Sequence, residues 1–329
     1  MEKQDVVIVG AGFAGLYALH ALRGLGLSAR VFEAGDDVGG TWYWNRYPGA
    51  RCDVESLEYS YSFSRELEQE WRWKERYAPQ AEILAYAQHV ADRFDLRRDI
   101  QFCTRVTVAH FDEESGRWTV TTDAGGAVSA QFLVMATGCL SAPRLPDLPG
   151  LREFKGRVLQ TSQWPKEPVD FAGQRVAVIG TGSSGIQAIP LIAAQAAQLT
   201  VYQRTPNFSV PARNRLVGDS ERDAVLAGYP AMRERLRTSF TSLGSGDPPP
   251  VSARSTAAAV RTAEYRRRWD AGGTGFLFAY NDLILDREAN ETAAQFIRDR
   301  IAETVKDPVT AAHLQPRSFP IGTKRLCLD

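Results

Sequence analysis

Residues 6–33, VVIVGAGFAGLYALHALRGLGLSARVFE, decide the fold. Residues 6–9 are all apolar, as in a strand buried on both faces. Gly10-Ala11-Gly12-Phe13-Ala14-Gly15 follows at once, Leu16, Ala18, Leu19 and Leu22 then recur at helical spacing, and residues 29–32 form a second strand ending at Glu33. In this strand, loop, helix, strand unit Gly10 permits a tight turn, Gly12 lets the backbone approach a pyrophosphate at the helix N-terminus, and Gly15 lets helix and strand pack closely. A carboxylate at Glu33 accepts hydrogen bonds from a ribose diol and repels a 2′-phosphate, so the loop suits FAD or NAD and not NADP. Taken alone, the glycine pattern also fits an ordinary glycine-rich turn.

The same unit recurs downstream. Residues 175–179 read as a second buried strand, Gly180-Thr181-Gly182-Ser183-Ser184-Gly185 as its loop, an alanine-rich stretch to about residue 198 as its helix, and residues 199–202 as its second strand. Gln203-Arg204-Thr205 occupies the place of the first unit's acid. A guanidinium there binds a 2′-phosphate bidentately, which points to NADPH. The expectation is an α/β chain with two Rossmann-like, dinucleotide-binding domains. One loop suited to a free ribose diol and one to a phosphorylated ribose imply hydride transfer from NADPH to a flavin.

Composition narrows the partners. Lys plus Arg (39) cancel Asp plus Glu (39), so no global field favours nucleic acid or an anionic membrane. The densest basic run, Arg266-Arg267-Arg268, reads as a solvated helix face. Cys52, Cys103, Cys139 and Cys327 form no C-x-x-C pair and stand at no metal spacing, which fits a reduced cytoplasmic protein without a metal. No signal peptide and no membrane span is read. A monomer is expected.

Two further stretches carry more specific information. Residues 39–53, GGTWYWNRYPGARCD, and residues 154–165, FKGRVLQTSQWP, resemble the two fingerprints of the Baeyer–Villiger monooxygenases, flavoenzymes that insert one atom of O2 beside a ketone carbonyl. The first matches at every defined place from Gly39 to Asp53. The second matches at Phe154, Gly156, Trp164 and Pro165, and carries Gln160 where the family has His. Residues 321–329, IGTKRLCLD, are similar to the family's G-T-K-R segment, and residues 75–97 are similar to its phenylacetone and steroid ketone branch.

The resemblance implies roles. Gly10, Gly12, Gly15, Glu33, Thr41, Trp42, Asp53 and Tyr59 would hold FAD. Arg51, Cys52, Gly180, Thr181, Gly182, Ser183, Ser184, Gly185, Gln187, Arg204, Thr205, Lys324 and Arg325 would hold NADPH. Arg325 would be the catalytic cation, positioned by Asp53, and the reactants would be O2 and a small ketone. By the same resemblance residues 1–150 form the FAD-binding domain and residues 151–320 the NADP-binding domain, with a helical insert at about 216–315. Residues 321–329 begin a return to an FAD domain that is discontinuous and incomplete in this chain, apparently truncated at its C-terminus. Helices are read at 79–94, 219–240 and 289–305, short strands at 105–109, 117–122 and 127–135, and a loop at 243–250. Two other readings stay open, a flavin monooxygenase that oxygenates nitrogen or sulfur, and a non-catalytic NADP-binding fragment.

Overall fold

The computed structural model describes residues 1–140, 142–239 and 246–328. In chain order these form β1 (Glu2–Val9), α1 (Phe13–Gly24), β2 (Ala29–Phe32), α2 (Thr41–Trp44), α3 (Arg65–Glu70), α4 (Gln80–Arg93), β3 (Ile100–Gln101), β4 (Val106–Asp112), β5 (Arg117–Thr122), β6 (Ala127–Met135) and β7 (Arg175–Ile179). There follow α5 (Ser183–Ala193), β8 (Gln198–Tyr202), β9 (Ser209–Val210), α6 (Asp219–Thr238), α7 (Ala258–Ala271), α8 (Arg287–Thr304), α9 (Pro308–Leu314) and β10 (Cys327–Leu328). Of the loop expected at 243–250, residues 243–245 lie outside the described residues, as do Phe240 and Asp329 at the ends of two other expected segments.

The chain divides into two compact units, the first built from Met1–Tyr47 and Gln80–Pro168, the second from Pro48–Pro79 and Val169–Asp329. In the first, six strands form one sheet in the order β3-β2-β1-β6-β5-β4. β3, β2, β1 and β6 run parallel, and β6, β5 and β4 continue the sheet as an antiparallel meander. β1 has neighbours on both edges, Val6 opposing Ala29 on one and Phe132 on the other, and its Val6, Val7 and Ile8 are almost completely buried, as on a central strand with both faces covered. The turn into α1 is compact because two glycines meet. Gly10 has φ of 102°, and a Cβ on Gly15 would lie 1.9 Å from the Gly10 carbonyl oxygen.

The compact units are not split at residue 150, since residues 48–79 pack with the later part of the chain. Arg76 N–H donates to Arg215 O (2.8 Å), Val217 N–H to Lys74 O (2.9 Å) and the Tyr229 hydroxyl to Leu57 O (2.9 Å), and Tyr77 sits in one core with Phe208, Tyr265 and Phe276. That core lies among the helices. Tyr265, Phe276, Tyr280 and Phe296 stack and tilt against one another, and the Tyr265 hydroxyl is 2.7 Å from Thr292 Oγ1.

β7 and β8 pair in parallel from Arg175 opposite Gln198 to Ile179 opposite Tyr202. β7 is not the buried strand expected. β7 has only β8 as a neighbour among the described residues, and Ile179 and Tyr202 are both more than half exposed. α5 also ends at Ala193, short of the expected 198, because Ala197 N–H turns to Gln174 O (2.9 Å) and starts β8. α9 was not anticipated, although Asp307-Pro308 is a helix-start signal and the Asp307 side chain does accept from Thr310 N–H.

Gly15→Ala forces its new methyl into the Gly10 carbonyl, whereas an added Cβ at Gly24, in the same helix, meets nothing within 4 Å. Gly15→Ala is expected to cost at least about 2 kcal/mol, and Gly24→Ala to be neutral or stabilising by up to about 1 kcal/mol. Urea denaturation midpoints decide the matter. Equal midpoints would mean that the turn is not closed as described.

Candidate functional site

In the first unit the glycine loop is capped by residues 39–40. Gly39 N–H donates to Ala11 O (3.0 Å), and a Cβ on Gly12 would come within 3.3 Å of Gly40 Cα, so the two loops touch through bare backbone. Glu33 is buried, with Oε2 accepting from Ala11 N–H (2.7 Å) and Oε1 from Gly35 N–H (2.8 Å). A carboxylate offers about four acceptor positions, so roughly half its capacity remains for hydroxyls. Thr41 is exposed at the start of α2, and Trp42 beside it is buried, its carbonyl accepting from the Gln80 side chain.

The central fingerprint belongs to this same unit. Gly156 lies under the Phe154 ring, where an added Cβ would meet ring carbons at 2.6 Å unless the exposed ring moved aside. Gln160 donates to Arg144 O (3.0 Å), and Trp164 and Pro165 are half-buried. The next lysine, Lys166, was not singled out from sequence. It pairs with Asp36 and stands over the Tyr43 ring, fastening the fingerprint to the segment that follows Glu33. Hydrogen bonds from Lys166 and then Tyr43 hold the Asp36 carboxyl below its ordinary pKa.

In the second unit Gly180 (φ 105°) and Gly185 repeat the first loop's contact, an added Cβ on Gly185 falling 2.5 Å from Gly180 O. Gly182 caps α5 without any side-chain bond, leaving N–H groups of the first turn free to face an anion. Thr181 Oγ1 donates to Gln203 Oε1 (2.9 Å), and Gln203 Nε2 to His313 O (3.0 Å), so Gln203 braces the loop. Arg204 is exposed and makes no ion pair among the described residues, and Thr205 beside it is half-buried. Ser183 Oγ is 3.4 Å from Cys327 Sγ, Ser184 is half-buried, and Lys324 is exposed with its ammonium 4.2 Å from the Phe319 ring centre.

Asp53 and Arg325, 272 residues apart, are brought together. Arg325 Nε donates to Asp53 Oδ2 (2.6 Å) and its Nη2 to Oδ1, a two-pronged fork. Burial pulls the Arg325 pKa down, but the hydrogen bond and charge of Asp53 outweigh it, so it rises above the ordinary arginine range. Arg51 and Cys52, the two residues before Asp53, line a cavity of about 300 Å³ together with Gly49, Gln187, Leu191 and Leu328. Its wall is close-packed. Gly49 has φ of 79° and lies against α5 so that a Cβ would be 2.3 Å from Gln187 O, while Gln187 Nε2 donates to Arg51 O (3.3 Å). Arg51 is fixed in turn by Glu75 Oε2 (3.0 Å) and Tyr77 O (3.1 Å).

The residues expected at NADPH, including Arg51, Cys52, Gln187, Arg204, Lys324 and Arg325, all fall in the second unit. Those expected at FAD divide, with Gly10, Gly12, Gly15, Glu33, Thr41 and Trp42 in the first unit and Asp53 and Tyr59 in the second. The roles of Glu75 and Gly49 had no sequence signal beyond the fingerprint, since they depend on chain segments meeting from far apart.

Burial pushes the Cys52 thiol up from 9.0 to about 12. At pH 8 its thiolate fraction is then about a thousandfold below that of an ordinary thiol. Iodoacetamide at pH 8, followed by peptide mass spectrometry, is expected to label exposed Cys103 and Cys139 long before Cys52. The folded state also holds the Cys52 proton more tightly than the unfolded chain, so stability falls as pH rises above 9.0 towards 12. Labelling of Cys52 as fast as Cys103 would contradict its burial.

Residues 3–214 match a family model described as flavin-binding monooxygenase-like. A Baeyer–Villiger monooxygenase of Pseudooceanicola batsensis is 43% identical over 96% of this chain and 58% of its own length, and a phenazine N-monooxygenase of Lysobacter antibioticus is 42% identical over 95% and 58%. A solved structure of oxidised steroid monooxygenase bound to NADP superposes with a TM-score of 0.96 at 54% identity, covering 99% of this chain and 62% of that one. The chain thus spans about three-fifths of the length of these relatives. With both glycine loops, the fork and the matching family model in place, the chain belongs to the flavin-binding monooxygenase-like family.

Proposed function

We propose that this chain carries the FAD- and NADPH-binding part of a Baeyer–Villiger monooxygenase that converts ketones to esters or lactones with O2, the first unit serving FAD and the second NADPH. The observation that carries the reading is the Asp53–Arg325 fork, with Arg51 and Cys52, the two residues before Asp53, lining a cavity with Gln187. The residues fit both cofactors. Gly10, Gly12, Gly15 and Glu33 suit a pyrophosphate and a ribose diol, since no Cβ bars the turn and Glu33 keeps acceptor capacity. Gly180–Gly185 and the free guanidinium of Arg204 suit NADPH, with Lys324 as a second cation. When bound and reduced, FAD supplies the two-electron oxygen chemistry.

The chain's own contribution is electrostatic. Oxygen insertion beside a ketone requires the transferring oxygen to act as a nucleophile, so negative charge develops at the reacting centre. A guanidinium stabilises that charge without giving up its proton, and Asp53 keeps it in one orientation. The 42% identity to a phenazine N-monooxygenase favours a second reading, oxygenation of nitrogen, in which the oxygen acts as an electrophile. Steroid and related bulky ketones are the first choice of substrate, on the 54% identity to steroid monooxygenase. A cytoplasmic monomer fits the balanced charge and the four free cysteines.

With FAD added, the reading expects NADPH oxidation stimulated by phenylacetone or a steroid ketone, with ester carrying one atom of ¹⁸O from ¹⁸O2. Formation of phenazine N-oxide without ester would select the second reading, and NADPH oxidation without either product would sink both. Arg204→Glu should weaken NADP+ binding by about 1.5–3 kcal/mol, the cost of a lost charge-assisted pair, and leave NAD+ nearly unchanged. Equal loss for the two, measured by calorimetry, would make Arg204 structural.

A further inference from the structure

The fork holds only the head of Arg325, and the side chain is 67% exposed. Exposed ion pairs contribute little unless the backbone beneath them is already fixed. The four residues from Gly322 to Arg325 lie outside any helix or strand, and Gly322 itself is in the left-handed region at φ 91°. Something must therefore anchor this segment at both ends.

Two asparagines do so. Asn290, buried on α8, donates through Nδ2 to Leu283 O and Ile321 O (2.8 Å each) and accepts from Ile321 N–H through Oδ1 (3.0 Å). Its amide is thus matched to both backbone groups of the residue four places before Arg325. Asn207, half-buried just before β9, donates to Arg325 O (3.0 Å) and lies 3.1 Å from Cys327 Sγ. Directly after it Cys327 N–H donates to Phe208 O (3.0 Å), and β10 pairs with β9. Asn290 fixes the entry to the segment, and Asn207 fixes Arg325 itself.

We infer that Asn290 and Asn207 are positioning residues for Arg325, holding its backbone so that the guanidinium meets Asp53 in a single geometry. Neither touches a reacting group. The inference rests on the proposed role of Arg325 for its functional meaning, but the coupling between asparagine and fork is independent of any activity. Asn207 stands three residues after Arg204, so the loop proposed for the 2′-phosphate also ends on the anchor of the proposed catalytic cation.

The test follows the Arg325 Nε–H by NMR in protein labelled with ¹⁵N-arginine, assigned with Arg325→Lys and referenced to Asp53→Asn, in which the fork is lost. Hydrogen bonding to Asp53 slows exchange of this proton with water. In Asn207→Ala and in Asn290→Asp, which keeps shape and the Ile321 N–H bond but loses both donated bonds, exchange should quicken at least about tenfold through local opening. Arg233 Nε–H, bonded to Glu68 Oε1 (2.8 Å) in the same unit, should keep its rate. A variant that leaves Arg325 at the wild-type rate removes that asparagine from the proposal, and a parallel rise at Arg233 overturns it in favour of general loosening. Asn207→Ala, at a half-buried place, keeps the test open if Asn290→Asp does not fold.

Discussion

In the second unit a carboxylate and a guanidinium meet across 272 residues of sequence, and the backbone on both sides is fastened so that they do. Asp53 is mostly buried and Arg325 mostly exposed, so the pair joins one enclosed and one solvent-facing member. An exposed ion pair alone contributes about 0–1 kcal/mol, too little to hold two chain segments in register. The backbone does that work on both sides. Cys52 N–H donates to Ala78 O (3.1 Å) and Arg51 is bound to Glu75 and Tyr77, while the Arg325 segment is tied to α8, Asn207 and β9. The aromatic core around Tyr265 and Phe296 supports α8, and through it the end of the chain.

The two glycine loops solve the same steric problem with the same contact. In each, the last glycine lies so close to the carbonyl of the first that no side chain fits between them. They part company after the second strand. Glu33 is buried and wired to backbone N–H groups, a preset acceptor, whereas Arg204 is exposed, with its guanidinium free to meet an anion from solvent. That contrast between a fixed acid and an open cation separates the two loops chemically, although their glycines make the same contact.

Their sheets differ for another reason. β1 is flanked on both edges and its Val6, Val7 and Ile8 are buried, while β7 has one neighbour among the described residues and stays largely exposed. Apolar runs at residues 6–9 and 176–179 look alike in sequence, and burial is the expectation for both. Hydrophobicity states what a strand can bury, and what covers its two faces decides what it does bury.

Local patterns were sufficient for the βαβ units, for the meander and for the pairing of Asp53 with Arg325, the last through resemblance to a family fingerprint. Hydrophobic periodicity and glycine spacing act over a few residues, where the physical cause and the sequence signal coincide. The placement of residues 48–79 with the later chain, the anchoring by Asn207 and Asn290, and the β9–β10 pairing were decided only by tertiary structure. Each depends on a backbone hydrogen bond or a packed ring between segments far apart in sequence, and an asparagine that will clamp a distant carbonyl reads, in a linear chain, like any other asparagine.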